Sequence, residues 1–164
     1  MSGIPGNARA ERRARLARAM ADEGIDVLVV AGNPWRCDYL RFAADITPVE
    51  GHAFAFIERG RPARIIVEHP AEARRLRAEQ TDLDVRWSLS AIEETEIAIR
   101  ELGTRRIALA PLAAVPYRLA IGPLVASIAP ATALLDRLML RKSPSEIEAF
   151  RRVAKNGEIG RAHV

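Results

Sequence analysis

At 164 residues, with 49% hydrophobic, 28% charged, 5% aromatic and a formal net charge of +4, the chain can bury a core as one α/β domain without a disulfide or metal staple. Cys37 is its only cysteine, which excludes an internal disulfide framework and multi-cysteine zinc or iron–sulfur sites. No apolar run approaches the ~18 residues of a membrane span, and Met1 to Arg15 has no apolar signal core, so the expectation is a cytoplasmic protein with no membrane partner.

The elements follow in chain order. Ala8 to Glu23 reads as a helix, with Asn7 as its N-cap, Leu16 and Met20 one turn apart, and Gly24 at the left-handed stop position. Ile25 to Ala31 is a β-branched apolar run that suits a strand covered on both faces. Gly32-Asn33-Pro34 breaks it, and Trp35 to Ala44 reads as a short helix or turn. His52 to Ile57 and Ala63 to Glu68 predict an antiparallel hairpin around Gly60. Pro70 to Gln80 is a helix opened by proline, and Asp84 to Ser88 a short strand. Ser90 and Glu93 form a capping box for a helix carrying Ile92, Thr95, Ile99 and Leu102, which Gly103 ends before a strand at Arg106 to Ala110. Prolines 111, 116, 123 and 130 punctuate a stretch of irregular helix and loop. Beyond the apolar run Ala131 to Leu140, Ser143 as N-cap, Pro144 at the first position and Glu146 at the third start another helix with Ile147, Phe150 and Ala154 on one stripe.

Alternation of helix and strand with one hairpin predicts an α/β fold: a mixed, mostly parallel sheet with helices on both faces. In such sheets ligands gather beyond the carboxyl ends of strands. The dense segment after the first strand, Trp35 to Phe42, therefore supplies the candidate substrate-pocket or dimer-contact residues Arg36, Asp38, Tyr39 and Arg41. The competing reading is a core helix with Trp35, Tyr39 and Phe42 packed inward. No Gly-rich phosphate loop is present, and His52 and His69 have no carboxylate at ligand spacing beside both, so no catalytic residue and no metal ligand is assigned. Cys37 reads as a half-buried structural thiol more readily than as a nucleophile.

Three segments resemble the N-terminal domain of the creatinase, prolidase and aminopeptidase P group of pita-bread metallopeptidases. They are Leu16 to Val30, where the helix runs through Gly24-Ile25-Asp26 into the strand; Asn33 to Phe42, with Tyr39-Leu40 in register; and Leu140-Arg141-Lys142-Ser143-Pro144-Ser145-Glu146-Ile147 followed by Phe150-Arg151-Arg152-Val153-Ala154. Two positions depart from the pattern: Arg41-Phe42 stands where the family has glycine, and Asp38 where it has arginine. The resemblance implies a ribonuclease-H-like fold that mediates dimer contacts and walls the active site of a neighbouring catalytic domain. It also implies a peptide or small amide substrate and a pair of divalent ions (Mn, Co or Zn) held by that other domain, with no cofactor in this one.

The domain division expected on this basis is 1–140 for the N-terminal domain and 141–157 for a linker and the first helix of a C-terminal catalytic domain. Residues 158–164, Glu-Ile-Gly-Arg-Ala-His-Val, spell what a common sequencing adapter encodes, so they are expected to be an artefact of a longer coding sequence. The alternative is a self-contained basic α/β module, possible as a nucleic-acid binder. Against it, Lys142 and Lys155 are the only lysines among 25 basic residues, the arginines alternate with acids such as Glu11, Asp22 and Glu72, and stacking aromatics are few, so no nucleic-acid partner is expected.

Overall fold

The computed structural model describes residues 6–161, and side chains within 8–154 apart from 125 and 126. The adapter-like segment therefore falls on the backbone end of the last helix and on residues 162–164, which lie outside the described residues, as do its side chains.

The first helix, α1 (Gly6–Asp22), starts one residue before Asn7, so Asn7 sits inside the first turn and is not the N-cap. Its far end is as expected. Gly24 has φ +64°, its N–H bonds the Ala21 carbonyl (3.0 Å), and the Ile25 N–H reaches back to Met20 (2.7 Å), the paired bonds of a Schellman stop. Strand β1 (Val27–Gly32) follows and is buried along its whole length. The hairpin is β2 (Ala53–Glu58) and β3 (Arg64–Val67), with Gly60 at φ +72° in the connection.

Helix α3 (Pro70–Glu79) is capped by the His69 imidazole, whose Nδ1 accepts the Ala71 N–H, and leads to β4 (Asp84–Trp87). Helix α4 (Ala91–Glu101) opens on Ser90, whose hydroxyl accepts the Glu93 N–H, and leads to β5 (Ile107–Ala110). The proline-punctuated stretch holds a 3-10 turn at Leu112–Ala114, the short helices α5 (Tyr117–Ala120) and α6 (Pro123–Ala126), and a two-residue strand, β6 (Ala129–Pro130). Sequence reading missed β6, because two residues containing a proline carry no strand periodicity. Helices α7 (Thr132–Leu140) and α8 (Pro144–Arg161) complete the described chain; α2 (Asp38–Ala44) lies between β1 and β2.

The sheet order is β4-β3-β2-β1-β5-β6. The pairs β1–β2 and β2–β3 are antiparallel, while β1–β5, β3–β4 and β5–β6 are parallel, so β2 alone runs against the rest of the sheet. The predicted mixed, mostly parallel α/β sheet is thus the one observed. Alternation along β1 feeds two cores. Leu28 and Val30 pack with Leu16, Met20, Leu40, Leu76 and Leu135 on one face. Val27, Val29 and Ala31 pack with Phe54, Phe56, Ile99 and Leu119 on the other.

Candidate functional site

Beyond the carboxyl end of β1 the chain makes a tight turn. Asn33 and Arg36 exchange backbone bonds (3.3 and 3.1 Å), and the Asn33 side-chain oxygen accepts the N–H groups of Trp35 and Arg36, both at 3.0 Å. Gly32 makes this turn possible. A Cβ there would lie 2.5 Å from Leu40 Cδ1 and 2.8 Å from the Arg36 carbonyl. With Pro34 and Trp35 at the tip, the indole projects into solvent, 92% exposed. The core-helix reading therefore fails for Trp35, which precedes α2, and holds for Phe42, which is buried with Leu40 on the inner face of α2.

Arg36, Asp38 and Tyr39 come together with Trp35 along a groove of about 320 Å³ whose opposite wall is Pro111, Ala113, Ala114 and Thr132. Arg36 Nη1 donates to the Ala113 carbonyl (3.1 Å), tying the loop after β1 to the segment after β5. The Tyr39 hydroxyl donates to Asp136 of α7 at 2.6 Å; that bond, together with partial burial, raises the phenol's pKa above its ordinary value of 10.0. Arg41 does not join them. It lies a turn further along α2, and its carbonyl accepts Arg12 Nη1 (3.1 Å) from the α1 side. The wall supplied by Pro111, Ala113, Ala114 and Thr132 escaped sequence reading, as did the Tyr39 partner Asp136, since most of that wall comes from the segment with no clear periodicity. The available signal was position: β5 pairs in parallel beside β1, so its carboxyl end must open onto the same rim.

Cys37 is half-buried at the start of α2, where its carbonyl accepts the Arg41 N–H (2.8 Å). The His52 backbone N–H bonds Glu68 (2.7 Å), and His69 Nε2 lies 3.7 Å from Glu50. No three His, Cys, Asp or Glu side chains among the described residues converge in a metal-binding group.

A second cluster fixes the start of α8. The Ser143 hydroxyl accepts the Glu146 N–H (3.2 Å) while Glu146 accepts the Ser143 N–H (2.8 Å), a complete capping box. Glu146 is only 5% exposed and also receives Arg12 Nε (3.1 Å) and Nη2 (2.9 Å) and Arg15 Nη1 (3.2 Å). Burial pushes its carboxyl pKa up, but the Ser143 N–H and the two arginines outweigh this and hold it below the ordinary 4.5. Arg15 also donates to the Leu138 (2.6 Å) and Arg141 (2.5 Å) carbonyls at the end of α7. Past this anchor the apolar stripe of α8 is open to solvent, with Ile147 40%, Phe150 62% and Val153 70% exposed.

By sequence, no family model matches the chain, and no curated protein matches it significantly. Solved structures do match. The chain is similar to an Xaa-Pro dipeptidase from Bacillus anthracis (20% identity, TM-score 0.62), with 85% of this chain aligned to 38% of that one. It is also similar to the N-terminal domain of the cytoplasmic peptidase PepQ from Mycobacterium tuberculosis (13% identity, TM-score 0.60, 78% of this chain and 98% of that one). A third match is an aminopeptidase P from Streptococcus thermophilus (17% identity, TM-score 0.60, 81% and 99%). The fold is therefore the one these peptidase domains share, and the chain spans about 38% of the length of the dipeptidase.

Proposed function

We propose that this chain is the non-catalytic N-terminal domain of an Xaa-Pro aminopeptidase or prolidase-like metallohydrolase, serving dimerisation and forming a wall of the active site. The observation that carries the reading is one of extent: the chain overlays almost all of a solved N-terminal peptidase domain and little more than a third of a longer dipeptidase. On this reading residues 1–140 are the domain, 141–157 lead into a catalytic domain, and that domain holds two divalent ions. Such a pair activates a bridging water for attack on the peptide bond. The role of this chain's residues is to present a surface. Trp35, Arg36, Asp38 and Tyr39 offer one projecting indole, one cation, one carboxylate and one phenol around a shallow groove, a set able to contact a short peptide or a neighbouring subunit. The protein works in the cytoplasm as a homodimer; no helix among the described residues is long and apolar enough to cross a membrane.

Favouring this over a nucleic-acid module, the arginines are engaged with acids: Arg12 and Arg15 with Glu146, Arg13 with Asp82, Arg75 with Glu72 and Glu79, Arg105 with Glu58. The test is an assay of the purified chain on Xaa-Pro dipeptides with Mn, Co or Zn. No turnover is expected, and metal-dependent hydrolysis by this chain alone overturns the proposal. Reading the coding sequence onward should reveal two Asp, one His and two Glu as ligands.

A further inference from the structure

The two edges of the sheet are protected in different ways. At one edge, β6 is only two residues long and one of them is Pro130, which has no N–H to offer. At the other, β4 has four residues, none of them proline. Its Asp84 N–H donates to the Ala63 carbonyl and its Ser88 N–H to the Val67 carbonyl, both at 3.0 Å, so the even-numbered residues face β3. In a parallel ladder the intervening residues turn their backbone groups the other way. Val85 and Trp87 therefore present theirs along the free edge.

One of those outward groups is engaged. Arg77, in the last turn of α3, sends both Nε (3.0 Å) and Nη2 (2.6 Å) to the Val85 carbonyl. The guanidinium thus occupies the acceptor that an added strand would need first. Beside it the edge is apolar as well as polar: Trp87 is nearly half exposed and Leu89 is 90% exposed.

We propose that Arg77 is a latch on this edge, and that without it β4 pairs antiparallel with β4 of a second copy about a two-fold axis through Val85. The charges select that occupant. Asp84 and Arg86 lie on one face of β4, both exposed. With Val85 opposite its own copy, Asp84 stands across from Arg86 at two symmetric places, an opposite-charge cross-strand pair each time. The central Val85 pair would exchange the very carbonyl that Arg77 now holds. This inference uses neither the rim nor the peptidase reading.

The experiment is sedimentation equilibrium of the full chain over a range of concentrations. Arg77→Met keeps the aliphatic stem and removes the donors. Relative to wild type it should show a reversible twofold rise in weight-average mass. Adding Asp84→Arg should abolish the rise by placing like charges across the axis, and adding Arg86→Asp to that pair should restore it. A flat mass in R77M, or a rise that D84R leaves intact, overturns the proposal. A second readout needs no variant. In hydrogen exchange on dilute wild-type chain, the Asp84, Arg86 and Ser88 amides should be protected and those of Val85 and Trp87 should exchange freely; protection at Val85 and Trp87 also overturns it.

Discussion

Two carboxylates on the last two helices are treated in opposite ways. Glu146 is buried and accepts from one backbone N–H and two guanidinium groups belonging to α1. Asp136 is exposed and accepts one phenolic hydrogen bond, from Tyr39. A buried charge with all its partners in place fixes geometry, because losing any one partner is costly; a surface carboxylate with a single partner can exchange it for water or a ligand at little cost. The anchor of α8 is thus built for rigidity, and the rim at the end of β1 is left adaptable.

Removing the anchor should have the largest effect. Glu146→Ala leaves Arg12 and Arg15 close together without a neutralising carboxylate, only backbone carbonyls remaining as acceptors, and should cost about 3–5 kcal/mol in urea unfolding; a loss below about 1 kcal/mol would make the cluster a surface pair in all but burial. The same contrast has a pH signature. Because the folded carboxyl titrates below its ordinary 4.5, its contribution is present in full above that value and lost as pH falls through the folded pKa. The stability gap between wild type and Glu146→Gln should therefore be constant from neutral pH down to about 5 and narrow only below that. A gap that narrows between pH 7 and 6 would mean another group is responsible.

An intermediate effect is expected at Ser143. Ser143→Ala removes the hydroxyl cap but leaves the backbone N–H to Glu146, so the loss should be about 1 kcal/mol by the same unfolding measurement. If it equals that of Glu146→Ala, the two act as one unit.

The smallest effects should come from the rim. Tyr39→Phe and Trp35→Ala should each change stability by about 0.5 kcal/mol or less, since one breaks an exposed hydrogen bond and the other removes a solvated ring. A Trp35→Ala loss above about 2 kcal/mol would restore the indole to the core and end its candidacy as a contact residue.

How much of this was written in the sequence depends on range. The Gly24 stop, the Ser90 and Ser143 caps and the hairpin around Gly60 are local, each settled by residues within a few positions, and each appears where the spacing puts it. Asn7 misled because capping side chains are common at both the cap and the first turn, and the helix runs on to Gly6. Trp35 misled because an aromatic at i, i+4, i+7 spacing looks the same whether or not the helix has begun; the Asn33 turn delays α2 until Asp38 and strands the ring outside. The capping half of the Glu146 site was legible, but its arginines were not, since α1 is rich in arginine and nothing local distinguishes Arg12 and Arg15 from Arg13 or Arg18. For the rim, the grouping of Arg36, Asp38 and Tyr39 follows from their place after β1, whereas Asp136 and the Ala113 carbonyl arrive only through the tertiary fold.

The bonds from Arg12 to Glu146 span 134 residues, and those from Arg15 span 131. Helix α1 therefore carries two guanidinium groups whose shared carboxylate is made more than a hundred residues later. Until Glu146 emerges the two cations lack that carboxylate; once it arrives, one side chain ties α1 to the start of α8. The domain is closed in the manner of a clasp, and synthesis of the first turn of α8 is what shuts it.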